Sequence, residues 1–379
     1  MLEAMLRAAG KRTGLFTSPH LVSVTERFRI DGECVVPADL ERFMRRYRHA
    51  IDEIGATYFE ATTACALWLF ARQQVDWAIL EIGLGGRWDA CNAVKPELSV
   101  VTSISREHTE YLGTSQAAIA REKAQVARAG KPVIVGRVTD GVRVVLNGEF
   151  RKLKAVPYWL GREFDVVNPT YGPTGSSGTF KTAGGTLRLR SAIRGKKALD
   201  NAALAACAVG AIASAASKTP PARRIRRAIV VGAATVRWPG RLEVVSTRPL
   251  VVLDVAHNAA SFLALAEDWQ LHWPGVRPLV VIGLLADKPV GLIVRALERI
   301  ADAVIVTQAD SPRALPPSQL ARRLSARVAH VECTTSISQA VGRALEGSGR
   351  RGAILICGSH FVVGPARQVL LANAARLPG

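Results

Sequence analysis

The sequence predicts an α/β fold in two domains. Three observations carry this. Strand-length apolar runs, VDWAIL, LSVVTSI and KPVIVG in the first part and PLVVLDVAHN, RPLVVIGLL, ADAVIVTQ and GAILICGSHF in the second, each run into a glycine-bearing or polar turn, with helical stretches between them. At 379 residues the chain exceeds one ordinary domain. A Trp-Pro-Gly turn at 238–240 then separates two such alternations, so the expected domains are 1–241 and 242–379.

Hydrophobic residues at 49% and charged residues at 21% indicate a globular chain able to bury two cores. Lys and Arg number 50 against 31 Asp and Glu, a net charge of +19. The arginines are scattered except for RRIRR at 223–227, whose alternation with apolar residues suggests one solvated helix face. A polyanionic small molecule is therefore preferred over nucleic acid as the partner. The six cysteines show no C-x-x-C and no zinc spacing with histidine, which fits reduced thiols in a cytosolic protein. No signal peptide is recognised. The most membrane-like run, 198–217, is alanine-rich and carries Asp200 and Asn201, so it is expected to be a buried helix.

Taken in order, MLEAMLRAAG reads as a helix with Leu2, Met5, Leu6 and Ala9 on one face and Gly10 closing it, followed by a short strand GLFTS. PADLERFMRRYRHAIDEI (37–54) has a Pro entry and helical spacing, and TYFEATTACALWLFARQQ (57–74) becomes a buried helix. VDWAIL ends at Glu81, which opens a loop with three glycines in GLGGR, and LSVVTSI leads towards His108. One carboxylate and one imidazole just past two strand ends lie where open α/β sheets gather ligands, and together they suit a metal. From Thr114 the chain is expected to be helical, with Ile119 and Val126 inward and Lys123 about three turns in. Residues 168–186, rich in Gly, Ser and Thr, are expected to form a mobile hairpin or loop. The second domain reads as doubly wound and has no G-x-G-x-x-G after its first strand, which argues against a dinucleotide site.

Singly, Glu81 reads as a capping acid, His108 as a packed ring and Lys123 as a solvated cation. The ordered set carries more. E-x-GLGGR-x-DA-x-N from Glu81, HTEYLG from His108 and REKA around Lys123, fifteen residues after His108, resemble the folylpolyglutamate and dihydrofolate synthases of the Mur ligase superfamily. TSPHLVSVTERFRIDGE (17–33), the Thr-x-Phe-Glu of 57–60, DVAHN (254–258), ADK (286–288) and GSHFVVG (358–364) extend the resemblance over nearly the whole chain.

The resemblance implies a P-loop-NTPase-like Mur ligase central domain followed by a Rossmann-like Mur ligase C-terminal domain. It implies ATP-dependent addition of L-glutamate to dihydropteroate or a folate through an acyl phosphate. Two magnesium ions are implied, with Ser18, Glu81, His108 and a carbamylated Lys123 as ligands, Lys123 and His108 also serving catalysis. A lysine that adds carbon dioxide becomes a carboxylate suited to a hard ion. Thr57, Tyr58, Phe59 and Glu60, with Trp88, Asp89 and Ala90, are the implied substrate contacts, a flat ring suiting Phe59. Asn201, Arg241 and Asp254 are implied for ATP, the last two brought in by domain closure. A cytoplasmic monomer with no nucleic-acid or membrane partner is expected.

The sequence departs from the family pattern twice. Val255 stands where the D-G-A-H-N form has glycine, which matters if that position needs positive φ or close approach. No G-x-x-x-x-G-K-[ST] occurs in these residues. The resemblance places that loop roughly ten residues ahead of Met1. The expectation is a chain that starts downstream of its phosphate loop, leaving a gap in the first sheet; the rival readings are a ligand-binding or scaffold relative without ligase activity, and a Mur-type ligase for peptidoglycan precursors or another amino-acid polymer, against which Phe59 and the HTEYLG form argue.

Overall fold

The structure is a computed structural model that describes residues 1–215 and 221–373. They form two compact units: Met1–Thr170, Ser177–Ser191 and Lys197–Val236 make the first; Tyr171–Ser176, Ala192–Lys196 and the chain from Arg237 make the second. The Trp-Pro-Gly turn goes with the second unit, because Gly240 accepts the N–H of Val255 and donates its own to Glu243.

In the first unit, Thr13–Phe16 pairs antiparallel with Phe28–Ile30 and parallel with Trp77–Leu80, Phe16 standing opposite Leu80. The parallel partner requires a long crossover, and the helices Pro37–Glu53 and Tyr58–Arg72 supply it. Phe16, Phe28, Phe43, Leu69 and Phe70 close the core beneath them. Gly14 is needed there, since a Cβ would sit 2.5 Å from the Phe70 ring. A second sheet of parallel strands, Ser99–Val101, Pro132–Val135 and Val156–Trp159, packs on the helix Asp140–Lys152 through Val133, Val135, Leu146, Phe150 and Trp159. Trp77–Leu80 and Ser99–Val101 belong to different sheets and both line a cavity of about 610 Å³. Trp77–Leu80, apolar throughout, is consequently only partly buried.

Several elements go beyond the sequence reading. Of the two forms expected for the Gly-, Ser- and Thr-rich stretch, hairpin or loop, the structure has the hairpin, built into a sheet. It forms most of a three-stranded sheet with strands Phe164–Gly172, Gly175–Thr182 and Gly185–Ser191. Alternate residues Ser176, Gly178 and Phe180 turn inward, Phe180 meets Phe164 at 6.2 Å, and Gly178 leaves room for Val166. Period-two burial outweighed the weak strand preference of the composition. The arginines of the RRIRR helix, Ala222–Thr235, are exposed as expected, and two of them also bridge to neighbouring segments: Arg224 donates to the Ala9 carbonyl and Arg226 to that of Thr186. On its other side Gly232 comes so near the Leu2–Ala8 helix that a Cβ would lie 2.5 Å from the Met5 backbone. In that first helix the inward residues are Glu3, Ala4, Met5 and Leu6, Glu3 being satisfied by the Thr13 hydroxyl and Arg7. The Lys196–Ala215 helix is long and apolar enough to cross a membrane, but much of it is buried, including Ala202, Ala203, Ala206 and Val209.

The second unit is doubly wound. Its six strands run in the order Glu243–Thr247, Leu250–Leu253, Ala353–Cys357, Leu279–Ile282, Ala303–Val306, His330–Cys333. The first pair is antiparallel and the others parallel. The chain passes from Leu250–Leu253 to Leu279–Ile282 and later returns to place Ala353–Cys357 between them. The switch point thus falls at the ends of Leu250–Leu253 and Ala353–Cys357, where ligands of such sheets collect. Trp269, Phe262, Leu297 and Leu355 lie in the core.

Within this unit His272 is 1% exposed and clasps two segments: its Nε2 accepts the Gly195 N–H at 2.9 Å, and its Nδ1 lies 2.7 Å from the Gly172 carbonyl. Both bonds are made only by the neutral ring protonated at Nδ1. Burial lowers its pKa, with Arg194 adding to the effect and the Gly172 bond opposing it. The unfolded ring therefore takes up a proton more readily than the folded one. The clasp's contribution is full above the ordinary value of 6.5 and is lost as pH falls through the lower folded value. Urea unfolding of the second unit should show stability declining below pH 6.5, and His272→Phe should remove that slope; an unchanged slope in the variant would assign it to another group.

Candidate active site

Glu81 follows the Trp77–Leu80 strand, and its backbone N–H still bonds the Phe16 carbonyl. Its carboxylate accepts the Ser18 N–H at 2.9 Å, so two of the residues singled out in the sequence meet directly at adjacent strand ends. The glycine loop then folds over. Gly83 lies against the Phe59 ring, where a Cβ would stand 2.6 Å from it, and Gly85 takes φ +71°. Gly86 meets the helix Gln116–Ala124 so closely that a Cβ would sit 2.5 Å from the Glu122 carbonyl oxygen and 3.3 Å from Lys123 Cα. A chain that could not spare these side chains could not bring the Glu81 loop to the lysine helix.

Lys123 is in the last turn of that helix, two turns in rather than three, because the helix starts only after the Ser115 cap and stops at Ala124. Val126 consequently lies beyond it. Arg128 closes this end by donating to the carbonyls of Gln125 and Ala127, and reaches back to Asn92 of the loop. Asn92 in turn donates to the carbonyls of Arg87 and Gln125. Loop and helix are thus tied by hydrogen bonds as well as by contact, and Arg87 adds an ion pair with Glu122 at 3.4 Å. His108 is exposed, in the left-handed region at φ 53°, and precedes the short helix Thr109–Leu112.

A cavity of about 1020 Å³ opens beside this junction. Ser18, Thr57, Tyr58, Phe59, Glu60 and the run Trp88–Ala90 all line it, together with Arg27 and Tyr111. Tyr58, Trp88 and Tyr111 are 59%, 89% and 73% exposed. Three exposed aromatic rings around one cavity form a surface suited to a flat ligand. Phe59 packs at 5.8 Å from Phe16 and under Gly83, so much of its ring serves the core. Thr57 and Glu60 form a capping box: the Thr57 hydroxyl accepts the Glu60 N–H, and Glu60 accepts the Thr57 N–H and hydroxyl at 2.7 Å. That hydroxyl, and then the N–H, lowers the Glu60 pKa. The S/T-x-x-E pattern announces this in the sequence.

Asp89 is more occupied than a ligand-facing acid. One oxygen accepts the N–H groups of Gly83 and Leu84 and the other that of Cys91, all at 2.9 Å. It sets the glycine loop. Beneath it Cys91 donates to the Glu81 carbonyl, its thiol pushed up to about 12 by burial and so structural. Ala90 and Cys91 begin the short helix that Asp89 caps.

The nucleotide candidates are divided between the two units. Asn201 is exposed and lines the 610 Å³ cavity. In the second unit Asp254, at the switch point, accepts the N–H groups of Leu242 and Ala256, while desolvation pushes its pKa up against the opposing charge of Arg241. Val255 is buried and does not have positive φ, so the backbone of this turn does not call for glycine. Asn258 caps the next helix with Ser261, and the rings of His257 and His360 stand 6.1 Å apart.

Among the described residues no three His, Cys, Asp or Glu side chains gather into a metal-holding group. Ser18 and Glu81 nevertheless both carry hard oxygens, and their segments are joined by the bond from the Ser18 N–H to the Glu81 carboxylate; magnesium typically takes one or two protein oxygens and completes its shell with water and phosphate. The donor chemistry fits such an ion. Arg27 and Asn92 stand inside the quoted motifs without a role of their own there, and Arg128 lies outside them; the roles of all three come from tertiary contacts. Asp89→Ala should leave three backbone donors without their acceptor, costing about 1–3 kcal/mol. Amide hydrogen exchange should then accelerate at Gly83 and Leu84; unchanged protection would show that the loop holds its shape without Asp89.

The chain matches the Mur ligase middle domain over residues 25–209 and the Mur ligase glutamate ligase domain over 240–360. It is 33% identical over 369 residues to the dihydrofolate synthase/folylpolyglutamate synthase of Escherichia coli K12, covering 97% of this chain and 82% of that one. Among solved structures, folylpolyglutamate synthase of Mycobacterium tuberculosis complexed with ADP and AMPPCP superposes with a TM-score of 0.88 at 34% identity, over 97% of this chain and 87% of that one. The Escherichia coli FolC structure in complex with DHPP and ADP gives 0.86 at 32%, over 98% and 85%. With the glycine loop, the lysine helix and both domains in place, the chain belongs to the dihydrofolate synthase/folylpolyglutamate synthase family of Mur ligases, ATP-dependent acid–amino-acid ligases.

Proposed function

We propose that this protein adds L-glutamate to dihydropteroate, to folates, or to both, through an acyl phosphate, as a cytoplasmic monomer. The observation that supports this reading best is the joining of the Ser18–Glu81 pair and the Lys123 helix by the glycine loop, beside a cavity ringed by aromatic side chains. The flat heterocycle occupies that cavity, among Tyr58, Phe59 and Trp88. Thr57, Glu60 and Asp89 fix its walls, and Ala90 leaves room at its edge. A substrate carboxylate oxygen attacks the γ-phosphorus of ATP and ADP departs. The amine of glutamate then attacks the acyl carbon, phosphate leaves and the amine proton is lost.

Glu81, His108 and Ser18, with Lys123 as its carbamate, hold two magnesium ions. Bound with the nucleotide, these ions supply charge neutralisation for the transferring phosphoryl group. Lys123, a cation as it stands, becomes an oxygen donor only on taking up carbon dioxide. Asn201 of the first unit and Arg241 and Asp254 of the second are assigned to the nucleotide, Asp254 acting through the turn it holds.

Lys123→Ala in the full-length protein should abolish glutamate incorporation, added bicarbonate should not restore it, and small carboxylic acids should restore part of it by replacing the carbamate oxygens. Glutamate incorporation at the wild-type rate in that variant would sink the assignment.

A further inference from the structure

Arg27 is the most unusual charge in the first unit. It lies in the short 3-10 helix Val24–Arg27, is 8% exposed, and lines the 1020 Å³ cavity. Its Nε donates to His20 Nδ1 at 2.9 Å, and its guanidinium carbon stands 5.2 Å from the centre of the Tyr58 ring. No carboxylate pairs with it among the described residues. Its neighbour Glu26 has one oxygen on the Leu21 N–H and the other on those of Val22 and Ser23. A guanidinium withdrawn from water without a counter-charge is costly.

The surroundings hold this cation in place without neutralising it. His20 accepts at Nδ1 and so carries its proton on Nε2. Burial lowers its pKa, Arg27 lowers it further, and Glu26 opposes both, so the ring stays a neutral acceptor. Tyr58 covers one face of the guanidinium. Nε is tethered, while the two Nη groups make no hydrogen bond among the described residues and belong to a residue that lines the cavity. That edge is a planar fork matching a carboxylate.

We propose that Arg27 is a ligand-recognising residue whose Nη edge pairs with a carboxylate of the molecule bound in this cavity, with His20 and Tyr58 as the positioning residues that aim it. This rests on the folate reading above, which supplies a ligand with both a flat ring and a carboxylate. It adds a residue that selects for that charge.

The test is equilibrium binding to the full-length protein, read by the fluorescence of Trp88 at the cavity wall. The probes are pteroate, which carries the carboxylate, and 6-hydroxymethylpterin, which lacks it. Arg27→Met should weaken pteroate roughly 10- to 100-fold, the range of a lost charge-assisted pair, and leave 6-hydroxymethylpterin unchanged. Arg27→Gln, similar in shape and uncharged, should behave alike and carries the comparison if the methionine variant does not fold. Equal weakening of both probes, or of neither, overturns the proposal while leaving the folate reading standing. Wild-type protein that binds neither probe overturns that reading and the proposal with it.

Discussion

The first unit depends on one close approach, that of the Gly83–Gly86 loop to its two neighbours. On one side a ring, Phe59, lies where a Cβ of Gly83 would be; on the other the Glu122 carbonyl lies where a Cβ of Gly86 would be. Backbone against backbone leaves no side chain to give way at Gly86. Because interiors are close-packed, such a contact fixes the separation of the elements that share it. Here those elements carry Glu81 and Lys123, one just past a strand end and the other in the final turn of a helix.

The approach is held as well as permitted. Asp89 gathers three N–H groups of the loop, and Asn92 and Arg128 bind its far end to the helix terminus. The same loop forms one wall of the large cavity, so the substrate surface and the proposed phosphoryl-transfer residues share a support. A displaced loop would disturb both, which is why residues touching no ligand are expected to matter for chemistry. In the second unit Asp254 has an analogous task, holding the turn at the switch point through Leu242 and Ala256.

Much of this was legible in the residues. Strand-length runs ending in glycine located the strands before Glu81 and the doubly wound second unit, because buried parallel strands leave that pattern whatever their neighbours are. The Thr57 and Glu60 spacing contains the capping box, alongside the substrate contacts that the resemblance implies for the same two residues. What stayed hidden was tertiary. Gly178 and Phe180 belong to a sheet whose composition resembles a loop, and only their alternate burial shows it. Arg128 ties the end of the Lys123 helix to Asn92, 36 residues back in the glycine loop, a contact that no short sequence window contains. Arg27 stands in the 17–33 motif with no role of its own until its burial and its histidine partner are seen.

The importance of the Gly86 contact is most directly tested by Gly86→Ala, measured as the rate of glutamate ligation and its magnesium requirement, beside Gly148→Ala on a helix with open space around it. The methyl group would be driven against a backbone carbonyl, shifting loop from helix. A tenfold or greater loss of rate is expected, about 1.4 kcal/mol or more of transition-state stabilisation. The magnesium requirement should rise with it, while Gly148→Ala stays at the wild-type value. Wild-type rate and wild-type magnesium dependence in Gly86→Ala would contradict the claim that this contact places Lys123 and Glu81 for catalysis.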